Sequence, residues 1–306
     1  MSKETPVGEN KYLKEAVVYN SLFYFCAMSS LTPVGIFDSG YGGLTVMQEI
    51  VNKLPRYDYI YLGDNARAPY GPRSFETVYR YTLQCVKWFF DQGCPLVVLA
   101  CNTASAKALR TIQQNDLAKI DPEKRVLGVI RPTTEVIGNY SDTKNIGILA
   151  TTGTVSSNSY VIEIEKFFPQ VKVFQQACPM WVPLVENEEY DAHGADFFIK
   201  KYINQLLDQS PVIDTILLAC THYPLLHDKI REFTPADIKI LSQGEIVANS
   251  LADYLQRHSE IERKLSLGAS HHFYTTDSTE DFDRHAANFY GAEIRSSHVD
   301  LDAQKL

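Results

Sequence analysis

Two short segments set a cysteine in the same local surroundings. VLACNTAS (98–105) and LLACTHYPLL (217–226) each run from apolar residues through Leu-Ala-Cys into small polar residues, so Cys101 echoes Cys220. A thiol can act as nucleophile, metal ligand or base, and a helix N-terminus behind it favours the thiolate. A buried thiol at a strand end is the plain alternative for either cysteine alone, and repetition of the setting weakens it. Nucleophilic catalysis needs one cysteine with a histidine base and an orienting carboxylate, which leaves the second copy unexplained. A metal site needs further ligands, yet His222 is the only histidine within either motif. A pair of acid/base thiols on opposite faces of one substrate carbon needs two equivalent groups. One removes a proton while the other delivers one to the far side, which inverts the carbon.

Such a pair must be held by two similar frameworks. From Pro33 onward, short β-branched runs alternate with helical periodicity. Strands are expected at 34–37, 59–62, 96–100, 126–130, 146–150, 171–174, 215–219, 238–241 and 272–275. Most are continuous apolar runs, the pattern of parallel strands covered on both faces. The fold class is therefore α/β, read as two similar parallel-sheet halves. Ligands of such sheets bind beyond the carboxyl ends of the strands, where both echo cysteines fall. The clearest helix is 74–92, with Ser74 as cap, Gly93 as stop and a stripe of Phe75, Val78, Thr82, Cys85, Val86 and Phe89. Cys85 is thus expected to be a packed thiol. Asn102 or Thr103 is expected to cap a helix over 104–115, and Thr221 a short helix with Pro224 in its first turn.

The Gly-rich corner from Gly35 to Gly43 follows the first strand and precedes a helix. It can hold an anion on backbone N–H groups, but it fits neither dinucleotide nor P-loop spacing. Asp38 in this corner is a turn residue, a group orienting a substrate ammonium, or a proton carrier near Cys101.

The composition, 45% hydrophobic and 22% charged with a formal net charge of −8, is that of a globular protein. With no basic stripe, it gives no support for nucleic-acid binding. Six cysteines with no C-x-x-C pair suit a reducing compartment, hence the cytoplasm. The stretch AVVYNSLFYFCAM (16–28) is short for a membrane span and lacks a basic leader. Met28 is expected to be the translation start, or residues 1–27 an appended arm.

Four longer stretches carry a resemblance: GIFDSGYGGLTV (35–46), YLGDNARAPYGPRS (61–74), LACNTAS (99–105) and LACTHYPLL (218–226). Together they resemble glutamate racemase, of the cofactor-independent aspartate/glutamate racemase superfamily. GTVSSNSY (153–160), CPMWVPLVE (178–186) and FYTTD (273–277) follow in the expected order. The resemblance implies interconversion of L- and D-glutamate without cofactor or metal, supplying D-glutamate for peptidoglycan and thus cell-wall biogenesis and cell shape. It implies two α/β domains with the site in the cleft between them. The first domain would comprise 31–127 and 243–306, the second 128–242, with 1–30 as an extension. Carried over by motif, Cys101 and Cys220 are the bases, the first acting on D-glutamate and the second on L-glutamate. Asp38, His222 and, in an acidic stretch where a solvated carboxylate competes, Glu186 are auxiliary acid/base groups. Substrate contacts are expected from Asp38, Ser39, Tyr70, Gly71, Asn102, Thr103, Thr221 and His222. Cys94 and Cys178, each before a proline, are expected to be structural. Asn65 departs from the Thr or Ser common in the family. A homodimer is expected. Racemisation of aspartate or another acidic amino acid, a noncatalytic binding protein and a Cys-dependent hydrolase remain the alternatives.

Overall fold

The structure, a computed structural model, describes residues 32–302. The expectations for the extension, including Met28 and Cys26, lie outside the described residues. Among the described residues, ten strands form two sheets, both parallel at every pairing. The first has order β10-β9-β2-β1-β3-β4, and the second β6-β5-β7-β8. In the first sheet, β1 is Val34–Asp38, β2 Tyr59–Gly63, β3 Leu96–Leu99, β4 Arg125–Gly128, β9 His271–Thr275 and β10 Ser296–His298. In the second, β5 is Asn145–Ala150, β6 Lys172–Ala177, β7 Thr215–Ala219 and β8 Lys239–Leu241.

The nine expected strands are present within a few residues of their expected ends. The tenth, Ser296–His298, was not expected: three polar residues at a sheet edge carry no apolar run to read. Strands β1, β2, β3 and β7 are buried at every residue, which explains their unbroken apolar runs.

Helices cover both faces. Helix α1 (Gly43–Lys53) packs its Leu44, Met47 and Ile50 with Val34 and Ile36 of β1 in one apolar cluster that continues into the second sheet. Helix α2 (Phe75–Asp91) covers the other face of the first sheet through Val78, Cys85, Val86 and Phe89. Ser74 accepts from Thr77 N–H as its cap, and Gly93 follows it with φ of 86°. Phe75 departs from the expected stripe. It is the first residue of the helix and is 52% exposed. The chain crosses to the second sheet through helix α4 (Ile130–Thr134), which comes after helix α3 (Asn102–Lys107). It returns through the helix Gly244–Arg257, which packs on α1. Among the described residues, no helix is long and apolar enough to cross a membrane.

The helix after Cys101 differs from expectation. It begins at Asn102, breaks at Ala108 and continues as short turns with a π segment at Ile112–Asp116. Its cap is Cys101 itself, whose sulfur accepts from Ala104 N–H at 3.4 Å. Neither expected cap is free for that task. Asn102 is drawn to Gln243 and Tyr160, and Thr103 to Thr151. Thr221 is not a cap either: its hydroxyl donates to Asp38, and His222 precedes the 3₁₀ turn Tyr223–Leu226, which contains Pro224.

Candidate active site

Six strand ends converge on one cavity of about 180 Å³. Ser39 follows β1, Tyr70 and Gly71 follow β2, and Cys101, Asn102 and Thr103 follow β3. From the second sheet, Thr151 and Thr152 follow β5, Cys178 follows β6, and Cys220, Thr221 and His222 follow β7. Glu186, the last residue of helix α7 (Trp181–Glu186), completes the wall; α5 (Thr152–Ser156) and α6 (Ser159–Phe167) lie before it in the chain. The two cysteines therefore occupy equivalent strand ends of two sheets and line one space.

Their surroundings differ. Cys101 is buried, 3.5 Å from the Ser39 hydroxyl. Burial, with the Asp38 charge adding to it, pushes its thiol up to about 12, against the hydrogen bond shared with the Ser39 hydroxyl and the one from Ala104 N–H. Asp38 is itself buried, and burial raises its carboxyl above the ordinary value. The His222 charge, the N–H groups of Gly40 and Gly43 and the Thr221 hydroxyl offset part of that rise. Cys220 instead has His222 Nδ1 4.0 Å from its sulfur, and His222 Nε2 lies 3.0 Å from Glu186 Oε1. Burial alone lowers the imidazole's affinity for a proton. The hydrogen bonds and charges of Cys220 and Glu186 outweigh it and hold His222 well above its ordinary value.

The two halves touch at this point. Thr221 Oγ1 reaches Asp38 Oδ2 at 3.3 Å, and Thr45 Oγ1 reaches the Thr221 carbonyl at 3.1 Å. Gly42 makes the approach feasible: a Cβ there would lie 2.3 Å from Thr221 Oγ1 and 2.5 Å from His222 Nδ1. On the opposite wall, the Gly71 carbonyl lies 2.5 Å from where a Cβ on Gly153 would stand. Among the described residues, the cavity wall includes no Lys or Arg. An anionic ligand would be held by hydroxyls and backbone N–H groups. Among the described residues, no group of three or more His, Cys, Asp or Glu is arranged to hold a metal ion.

The family model for Asp/Glu/Hydantoin racemase matches residues 34–251. The chain belongs to the Asp/Glu/hydantoin racemase family. A glutamate racemase of Geobacter metallireducens is 38% identical, over 89% of this chain and 98% of the relative. Among solved structures, a glutamate racemase isoform of Bacillus anthracis superposes with a TM-score of 0.80 at 35% identity, covering 88% of this chain and 98% of that one. The Francisella tularensis glutamate racemase, solved in complex with D-glutamate, gives 0.79 at 30% identity, covering 89% and 98%. The resemblance read from the motifs agrees with these matches, and the chain is an isomerase of the racemase class.

Of the residues singled out from sequence, all but Asp38 line the cavity of this racemase-family protein, and Asp38 lies buried behind it, bonded to Thr221. Glu186 is not a solvated loop carboxylate; it ends a helix and bonds His222. Asn102 lines the cavity, but two of its amide bonds run to Gln243 and Tyr160. Sequence reasoning missed Thr151, Thr152, Val182 and Pro183 in the wall. The two threonines had a legible signal, since they follow the apolar run 146–150 as polar residues follow the runs before each echo cysteine. Cys178 also reaches the wall, although its thiol donates to the Gln176 carbonyl at 3.6 Å and burial pushes it well up. Cys85 and Cys94 pack in the cluster under α2, as expected.

Proposed function

We propose that this protein is a glutamate racemase that interconverts L- and D-glutamate with Cys101 and Cys220 as its two acid/base groups. The reading rests on one observation: two cysteines from equivalent strand ends of two sheets line a single cavity whose wall, among the described residues, includes no Lys or Arg. Its relatives are glutamate racemases, and one holds D-glutamate.

In the proposed direction from L-glutamate, Cys220 as thiolate takes the α-proton. His222, 4.0 Å from the sulfur and supported by Glu186, balances the thiolate charge there as imidazolium. Cys101, held as a neutral thiol by burial, delivers its proton to the opposite face. The resulting Cys101 thiolate and protonated Cys220 are the starting state for D-glutamate. In the free protein, Asp38 is the carboxylate beside Cys101, and its raised affinity for a proton suits it to take the thiol's proton. The α-proton of an amino acid is far less acidic than a thiol. Much of the barrier must therefore be met by orienting the substrate and by donors that stabilise the carbanion-like transition state in a site shielded from water. The hydroxyls of Ser39, Thr103, Thr151 and Thr221, and the N–H groups near Gly71 and at the starts of the helices following β3 and β5, are the candidates. The D-glutamate formed would serve peptidoglycan synthesis.

Proton NMR of the cofactor-free protein with L- and D-glutamate in D₂O tests the reading, with aspartate run in parallel. Loss of the α-proton with appearance of the other enantiomer, for glutamate and not aspartate, is the expected result. Exchange with aspartate alone would reassign the substrate. No exchange with either would overturn the proposal.

A further inference from the structure

We propose that Tyr160 and Gln243 are positioning residues that fix the Asn102 amide toward the substrate through a closed hydrogen-bond ring. The ring has three members. Gln243 Nε2 donates to Tyr160 Oη at 2.6 Å, Tyr160 donates to Asn102 Oδ1 at 2.6 Å, and Asn102 Nδ2 donates to Gln243 Oε1 at 2.8 Å. Every bond has a donor and an acceptor, and the phenol hydrogen is used once.

The direction of the ring is set from outside it. The backbone carbonyl of Val129, which can only accept, lies 3.3 Å from Gln243 Nε2, and the Thr133 hydroxyl lies 2.9 Å away. Flipping Gln243 would set its carbonyl oxygen against that of Val129. Flipping Asn102 alone would set its Oδ1 against Gln243 Oε1. Both amides are therefore locked. The three residues are 0%, 2% and 4% exposed, in the order Tyr160, Asn102, Gln243, so water is poorly able to replace a lost partner.

The ring also occupies a strategic place. Asn102 follows Cys101 directly and opens α3. Tyr160 belongs to α6 of the second half. Val129 and Thr133 lie on the outward crossover between the sheets, and Gln243 lies on the return. One small polar cluster thus ties the start of the Cys101 helix to both connections between sheets. Its output is specific. Of the two Asn102 amide hydrogens one is bound to Gln243, and the other remains on a residue that lines the cavity. A single N–H of fixed direction suits a carboxylate oxygen of an acidic amino acid.

The assignment rests on the proposed glutamate reaction, so its test separates the two. In ligand-free protein, side-chain amide exchange of Asn102 followed by NMR reads the ring alone. Exchange should be slow in the native protein and fast in Tyr160→Phe. Fast exchange in the native protein would overturn the ring. With substrate, Tyr160→Phe and Gln243→Met should each raise KM about tenfold for both enantiomers, the size of one well-formed hydrogen bond to a charged group, while kcat changes much less. The double variant should lose no more than the worse single one, because both changes open the same ring. An unchanged KM, or losses that multiply, would overturn the positioning role. If one variant fails to fold, the other carries the KM comparison. A native protein without activity on glutamate would refute the proposed reaction and leave the ring to be judged by amide exchange.

Discussion

Replacing Glu186 by Gln tests how the second thiol is served. Glu186 Oε1 lies 3.0 Å from His222 Nε2, with the side chains 24% and 5% exposed respectively. A hydrogen bond to a charged group is worth about 1.5–3 kcal/mol. Solvent reaching Glu186 on one side favours the lower part of that range, which corresponds to a pKa change on the order of one unit. The sign follows from the environment. Glu186 and Cys220 raise His222 above its ordinary value, so the native protein gains stability that is fully present below pH 6.5 and lost as pH rises through the folded pKa. In Glu186→Gln, burial meets less opposition and the imidazole gives up its proton at lower pH. Histidine ring NMR should show that downward shift. At pH 6, denaturant unfolding should show the variant less stable by about 1–2 kcal/mol, a gap that closes on the alkaline side of the His222 titration. If the imidazolium supports charge on Cys220, the alkaline limb of kcat/KM should move down with the ring. Because the two enantiomers are equal in free energy, kcat/KM must fall by the same factor in both directions. A His222 titration and an alkaline limb that both stay put would refute the argument.

Cys101→Ser and Cys220→Ser should each lower racemisation by about 10²–10⁴, since an alcohol cannot replace a thiol as base near neutral pH; Cys94→Ala, away from the cavity, should keep the activity. Circular dichroism of glutamate reads the difference. Gly42→Ala has no backbone strain to overcome, as φ there is −56°, so its effect is steric. Its methyl would press on Thr221 and His222, costing about 1–3 kcal/mol in thermal or denaturant unfolding and about 100-fold in kcat/KM through misplaced groups. Asp214 tests a support of the second sheet. Burial opposes its charge, but donors from Ser141, Thr143, Thr215 and Asp142 bring it down to about 2 from an ordinary 3.8. That stability is present above the ordinary value and lost as pH falls toward about 2. Asp214→Asn should therefore cost about 1–2 kcal/mol at pH 7 and flatten the acid limb of a stability profile.

Much of this molecule was legible because it is encoded locally. Apolar runs marked nine of the strands, and helical spacing with Ser74 and Gly93 marked α2. The repeated Leu-Ala-Cys marked two strand ends where chemistry could occur. These signals depend on a residue and its near neighbours, which share the same few backbone periods wherever they end up. What the sequence left open depends on distant partners. The strand Ser296–His298 exists because β9 offers it an edge. Cys101 caps its own helix because Asn102 and Thr103 are claimed by residues from the other half. Gly42 is needed because Thr221 and His222, about 180 residues away in sequence, press against it. Most clearly, Tyr160 and Gln243 carry no motif, and only the two crossovers bring them to Asn102. The sequence alone determined which groups can do chemistry and that the two echo cysteines sit at strand ends. Tertiary structure decided which of those ends meet, because hydrogen bonds between buried groups select partners by direction and distance, neither of which is carried by local spacing.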